Sequence, residues 1–351
     1  MARLGTNPSR GQQLGFTPPR VTVAVLVYAP NQAGYFQHRL DVTRLTIESI
    51  LANTPEPFEL LVFDNGSCQE MTDFLKALNQ AGKIDTLVLS QQNIGKLNAL
   101  WRIANLAQGE VIAYTDDDVY HLPGWLPKHL QVLDTYPKVG AVTGFYIKQR
   151  VVMSSESTLA WVKDYEKEHP NLVQRGNLIP RKWEEEYMDN SGRTEERYQS
   201  EIAGVEDILV DFQGVKAWVS AHHFQVLVPK SVFLEVLSEM LDDGWSDLMM
   251  GRMVEMDDRM DAKGYLRLTT HEQTMRLLGN AIDDEVKALA AKDGIATESA
   301  LTGTSPEKAG GLWANAFVRK LAQRVLNWLY RGLHERSEER RVGNECRSRW
   351  S

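Results

Sequence analysis

The chain has 351 residues, 43% apolar and 25% charged, with 25 Gly and 13 Pro, which excludes collagen-like, low-complexity and disordered classes. Its formal charge of −8 argues against a nucleic-acid binder, whose surface is basic. No apolar run approaches the ~20 residues that span a bilayer. The first 20 residues lack the apolar core of a secretory signal. Two cysteines, Cys68 and Cys346, make neither a disulfide framework nor a zinc site, so a cytoplasmic chain fits.

Residues 1–20 are polar, with Pro and Gly, and read as a flexible arm. Residues 21–28 (VTVAVLVY) are a β-branched run of the kind a parallel sheet buries on both faces. Residues 41–53 place Val42, Leu45, Ile47, Ile50 and Leu51 at helical spacing, and Pro55 and Pro57 stop the helix. Residues 58–63 (FELLVF) predict a second strand. Ser67-Cys68-Gln69-Glu70 is a capping-box sequence that opens a second helix. Residues 84–89 predict a third strand. Residues 95–107 predict a third helix, with Leu97, Leu100, Trp101, Ile103 and Leu106 inward. Residues 110–114 (EVIAY) predict a fourth strand that runs into Asp116-Asp117-Asp118. Such alternation predicts parallel strands with right-handed crossovers, and a ligand beyond their carboxyl ends.

Past Asp118 the pattern loosens. A helix is expected at 125–135 and a strand at 139–147. Residues 150–210 are highly charged and suit surface helices, an insertion or a lid. Residues 215–228 return to strand composition, helices are expected at 231–241 and 247–263, and a strand at 265–269. Residues 281–311 are rich in small residues and read as a linker. Residues 312–335 predict an amphipathic helix. Its apolar face carries Trp313, Phe317 and Leu321, and its basic residues include Arg319, Lys320 and Arg324. It suits docking on the domain, a partner, or peripheral contact with an anionic membrane. Residues 336–351 (RSEERRVGNECRSRWS) resemble the conceptual translation of a sequencing adapter and are set aside as non-native.

The strand ends hold the chemistry. The first ends in Tyr28-Ala29-Pro30, without the G-x-G-x-x-G of a dinucleotide fold, and no P-loop occurs anywhere. The second ends in Asp64-Asn65-Gly66-Ser67. A carboxylate there can bind a base N–H or a ribose hydroxyl, although the same residues are ordinary turn formers. The third leads to Asn93-Ile94-Gly95-Lys96, where a helix N-terminus and a lysine offer positive charge to an anion. The fourth ends in three carboxylates, which a buried strand end tolerates only with a compensating cation. Hard divalent ions take such ligands together with substrate phosphates.

Together VTVAVLVYAP, LLVFDNGS, NIGKLNAL and VIAYTDDDVYHLPGWL resemble the nucleotide-sugar half of a GT-A glycosyltransferase of the broad family 2 group. The resemblance implies an α/β GT-A domain over 21–280, with a nucleotide-sugar half at 21–120 and an acceptor half at 121–280. It implies transfer of a sugar from a UDP- or GDP-type donor to a glycan or small-molecule hydroxyl, by inversion, with Mn²⁺ or Mg²⁺. Asp64 would contact the base, and Ala29 and Pro30 would border it. Asn93, Gly95 and Lys96 would lie by the diphosphate. Asp116 would face ribose or metal and Asp118 the metal, with Asp117 beside the nucleotide. Asp116 and Asp118 would then be the two acids of the family's D-x-D element.

An inverting enzyme also needs a base on the acceptor hydroxyl. Residues 253–258 (MVEMDD) before Gly264-Tyr265 resemble the family's acidic element and make Asp257 and Glu255 the candidates, with Asp247 behind them. The His that the family often carries ahead of Gly-Asn is absent from Leu278-Gly279-Asn280, although His271 lies nearby. Trp218 and His222 are expected at the acceptor, the first by stacking on a sugar. On a strand His222 and His223 would point to opposite faces. Two rivals remain at this stage, a non-catalytic sugar-nucleotide or glycan-binding protein of the same fold and a sugar-phosphate nucleotidyltransferase.

Overall fold

In the computed structural model, β1 (Val21–Val27) is buried at every position. Residues 5–297 are described, except 6, 8, 14, 56, 245–251 and 281. The expected helix at 312–335, the tail at 336–351 and Asp247 therefore lie outside the described residues. After β1 come α1 (Arg39–Asn53), β2 (Phe58–Asp64), α2 (Gln69–Gln80), β3 (Thr86–Leu89), α3 (Lys96–Leu106) and β4 (Val111–Asp116). β1 pairs in parallel with β2 and with β4, and β2 with β3. Period-2 alternation splits β1 between two cores. Val23, Val25 and Val27 join Ile47 and Ile50 of α1 and Met71 of α2. Ala24 and Leu26 join Leu97, Leu100 and Ile103 of α3.

The second half departs from parallel order. It comprises β5 (Val119–His121), α4 (Trp125–Thr135), β6 (Val139–Thr143), α5 (Glu156–Glu168), β7 (Val173–Gly176), α6 (Arg181–Ser191), α7 (Glu195–Glu201), β8 (Asp207–Phe212), β9 (Val215–Val219), β10 (Gln225–Pro229), α8 (Lys230–Asp242), α9 (Met253–Ala262), β11 (Leu266–Thr270), β12 (Met275–Leu277) and α10 (Asp284–Lys292). β10 lies antiparallel to β4 on one side and to β6 on the other. The large sheet runs β3-β2-β1-β4-β10-β6-β11-β9-β8-β7, and β5 pairs with β12 in a separate small sheet. Asp117 and Asp118 are the junction between the two sheets.

Four expectations are corrected. Trp101 and Leu106 are 37% and 47% exposed, because the buried face of α3 is taken by Leu97, Leu100, Ile103 and Ala104. The strand expected over 215–228 breaks at 220–224, which frees His222 and His223 from strict alternation. Ser67 does not cap α2; Cys68 holds that position, and the Ser67 hydroxyl accepts from the Ala29 N–H at 2.9 Å. The start of the expected linker is helical, since Glu285, Lys287, Ala288 and Leu289 favour helix. The Asp283 side chain caps α10 by accepting from the Val286 N–H at 2.7 Å, and Val286 and Ala290 pack on Val42, Leu45 and Tyr120.

Candidate active site

Parallel register sets the strand ends side by side, with Val27 opposite Asp64 and Leu26 opposite Asp116. Beyond them opens a cavity of about 350 Å³ lined by Tyr28, Tyr35, Phe36, Arg39, Asn65, Asn93, Lys96 and Asp116 to Asp118. Lys96, the first residue of α3, places its ammonium 2.7 and 2.8 Å from the two Asp116 oxygens. The Tyr114 hydroxyl donates to the same carboxylate, and burial together with that charge pushes the phenol's pKa up. Arg39, in the first turn of α1, bridges Asp117 at 3.2 Å, Asp118 at 3.1 Å and the side-chain oxygen of Asn280 at 3.1 Å. Thr43, one turn on, donates to the other Asp117 oxygen at 3.0 Å.

Three carboxylates thus share two cations. Burial raises Asp117 to about 7 although Arg39 pulls it down. Asp118 is raised by burial and by repulsion from Asp116. Asp117 faces α1, whereas Asp116 and Asp118 keep 23% and 29% of their side chains exposed. Among the described residues no three His, Cys, Asp or Glu side chains converge to chelate an ion unaided. An ion held between two carboxylates and a diphosphate needs no such set. The hard oxygens of Asp116 and Asp118, short of positive charge, fit Mn²⁺ or Mg²⁺.

Asp64 sits differently from the expectation. Its carboxylate is 1% exposed and accepts from the Ser67 N–H at 2.9 Å and the Thr72 hydroxyl at 3.0 Å. It holds the turn, and its neighbour Asn65 lines the cavity. Asn65 accepts from the Ile94 N–H at 3.0 Å and donates to Asn93 at 3.1 Å, which ties the second and third strand ends together. That approach needs Gly66: at φ +84° a Cβ there would lie 2.6 Å from the Gln92 carbonyl carbon. Asn93 also accepts from the Gly95 N–H at 2.7 Å. Gly95, at φ +80°, starts α3 so that Lys96 faces the acids. Ala29 is buried and Pro30 exposed. The wall beside them is Tyr28, edge-on to Phe36.

Residues 36–184 match the family model of glycosyl transferase family 2. That stretch of the chain resembles the family. A curated relative, the glucosyl-dolichyl phosphate glucuronosyltransferase of Haloferax volcanii, is 30% identical over 139 residues. That match takes in 39% of this chain and 41% of the relative, so the chain spans about two fifths of the relative's length. Among solved structures, a Pyrobaculum calidifontis mannosyltransferase in complex with GDP-Man and Mn²⁺ shares 19% identity (74% of this chain, 56% of that one, TM-score 0.39). S. aureus TarS 1–349 shares 11% (78% and 65%, TM-score 0.41).

In the second half of the chain the candidates separate. Trp218 is 4% exposed. Its ring lies among Tyr146, Trp183 and His271 and its N–H donates to the His271 carbonyl at 2.9 Å, so neither ring face is open to a sugar. His222 is 1% exposed, stacked on Phe224, with Nε2 3.0 Å from the Phe145 carbonyl. Burial drives its pKa well down, leaving a neutral core imidazole. His271 lines a separate cavity with Lys128 and Lys216. Glu255 is held by Arg252 and Arg259, each within 2.6 Å, which also lower its pKa. Asp257 is 2% exposed and meets Arg267 at 2.7 Å, His223 at 3.0 Å and Arg150 at 3.3 Å. Burial alone would raise its pKa, but the Arg267 charge, the hydrogen bond with His223 and Arg150 bring it below the usual range. Neither carboxylate is free to take a proton from an acceptor.

Sequence reasoning missed Arg39, Asn65, Tyr35 and Phe36 as lining residues of the cavity. Arg39 and Thr43 share a helix face at i and i+4, a visible signal, but nothing in the sequence says that the face meets Asp117.

Proposed function

We propose that the chain transfers a sugar from a nucleotide-diphosphate sugar to an acceptor hydroxyl, with inversion and with a divalent cation. One observation carries the reading: three carboxylates with only two counter-cations open on a cavity beside the N-terminus of α3. Tyr28, Tyr35 and Phe36 offer aromatic faces to a nucleobase, and the Asn65 amide offers it polar contacts. Lys96 and the first turn of α3 provide positive charge for a diphosphate. Arg39 and Thr43 fix the acidic turn so that Asp116 and Asp118 stay on the cavity side. Bound there, Mn²⁺ or Mg²⁺ supplies neutralisation of the leaving diphosphate. The matched relative is a glucuronosyltransferase, which supports sugar transfer.

The acceptor is a glycan or small-molecule hydroxyl. No described helix is long and apolar enough to cross a membrane. The basic amphipathic sequence at 312–335 supports peripheral contact with an anionic surface.

Calorimetry with UDP-, GDP- and dTDP-sugars, with Mn²⁺ and then with a chelator, tests the reading. We expect one nucleotide class to bind and chelation to abolish binding. Equal affinity after chelation removes the metal, and no binding by any donor removes the function. Donor binding without product on a broad acceptor panel would mark a binding protein instead. NMR of the product anomer tests inversion.

A further inference from the structure

The segment at 220–224 links β9 to β10 and brings a histidine to the acidic turn. The Phe224 carbonyl accepts from the Asp116 N–H at 2.8 Å, so His223 lies one residue beyond the point where β10 meets the end of β4. Its Nδ1 is 3.0 Å from an Asp257 oxygen. A carboxylate oxygen can only accept, so Nδ1 carries a proton toward Asp257, and in the neutral ring it is Nε2 that holds the lone pair. Among the described residues, Asp257 is the partner of this ring. Asp257 is itself fixed: one oxygen meets Arg267 of β11 at 2.7 Å, and the other is shared between His223 and Arg150 of the turn at 148–151. His223 keeps 19% of its side chain exposed, against 2% for Asp257.

The geometry points to His223 as the general base of the transfer proposed above, with Asp257 as the positioning residue that holds its tautomer. The inference rests on that functional reading and deepens it. In the step, Nε2 takes the proton of the acceptor hydroxyl. The freed oxygen pair forms the bond to the anomeric carbon, and the bond from that carbon to the diphosphate breaks with its electrons leaving on the diphosphate. The imidazolium is stabilised by Asp257 and returns its proton to water. A buried carboxylate that orients a histidine and steadies its charged form is a recurrent arrangement in acid–base catalysis. The charge that meets the ring is Asp257 on α9, which Arg150 in its turn and Arg267 on β11 also hold. The neighbouring His222 turns away to Phe145.

The test uses the full chain and the donor that binds in calorimetry. His223→Gln should lower kcat by about 10²–10⁴-fold while donor affinity stays within about threefold, and the acidic limb of the pH–kcat profile should vanish. In His223→Ala, added imidazole should restore part of the rate. In ¹⁵N-labelled wild type, the His223 Nδ1–H should give a low-field signal that Asp257→Asn removes. Should Asp257→Asn fail to fold, the His223 variants still decide. A kcat within threefold of wild type in His223→Gln, or a ring protonated only at Nε2, overturns the proposal while the functional reading stands. A wild-type chain that binds no nucleotide sugar overturns that reading, and the base with it.

Discussion

At the end of β4 three carboxylates share two cations, Arg39 and Lys96; around Asp257 one carboxylate is shared by two arginines and a histidine. Both clusters are built around Asp, one at the end of β4 and one on α9, and they differ in balance and cover. The first has surplus negative charge and two acids partly exposed, which suits a cation arriving with its ligand. The second has surplus positive charge and almost no solvent, which suits a fixed anchor. A buried acid says little about its role until its counter-charges are counted.

The comparison breaks most sharply on stability. Removing one partner of a buried ion cluster leaves the others uncompensated, at a cost of roughly 3–5 kcal/mol. Asp257→Asn should lose that much in urea unfolding, because Arg267 is 0% exposed and cannot reach water. Asp118→Asn should lose far less, since its neighbours Asp116 and Asp117 are relieved of repulsion. Similar losses in the two variants would erase the distinction between anchor and ligand.

The next effect is on binding. Asp118→Asn should weaken Mn²⁺-dependent nucleotide affinity by about ten- to hundredfold, since a charged contact is worth roughly 1.5–3 kcal/mol. Calorimetry on a variant with unchanged melting temperature checks this. An unchanged affinity would move the cation elsewhere.

Acidification separates the regions further. His222 is buried and neutral, with its folded-state pKa well below the ordinary value. Above about pH 6.5 both folded and unfolded chains hold it neutral, and its contribution to stability is fully present. As the pH falls below that, the unfolded chain takes a proton that the folded chain refuses. Stability then declines by about 1.4 kcal/mol per pH unit. His121 and His129, lowered by burial to about 3 and about 4, act in the same direction. In His222→Gln the decline between pH 6.5 and 5 should be shallower by one proton. An unchanged slope would mean that His222 is solvated.

The first four strands were legible because each is a short apolar run bounded by turn residues, and parallel order follows from the helices between them. Asp116 to Asp118 stood out because charge at a strand end needs an explanation. What lay beyond the sequence was partnership across long separations. Arg39 meets Asp117 and Asp118 at separations of 78 and 79 residues, a contact set by how α1 rides over the sheet junction. The same holds for Asp257, whose place on an acidic helix suggested a free carboxylate. Its burial depends on Arg150 and Arg267, brought in by a turn and a strand that the pattern of α9 does not encode. His222 and His223 were misassigned because 215–228 looked like one strand. The break at 220–224 lets one ring enter the core and the other meet Asp257.

The smallest effect concerns two neighbours at the end of β2. From sequence, Asp64 is the residue for the base; in the structure its oxygens are spent on Ser67 and Thr72, and Asn65 faces the cavity. Asp64→Asn keeps the shape and one acceptor but exchanges the other for an amide that cannot accept. It should cost roughly 1–2 kcal/mol of stability, the range for a strained or lost buried hydrogen bond, with nucleotide affinity held. Asn65→Ala removes the link to Ile94 and Asn93 as well as the amide that faces the ligand. It should lower nucleotide affinity by about three- to tenfold, which corresponds to roughly one neutral hydrogen bond. Measuring melting temperature and nucleotide affinity on both variants crosses the two roles. If Asp64→Asn loses affinity without losing stability while Asn65→Ala does the reverse, the carboxylate turns outward when the nucleotide binds, and the original assignment of the base contact is restored.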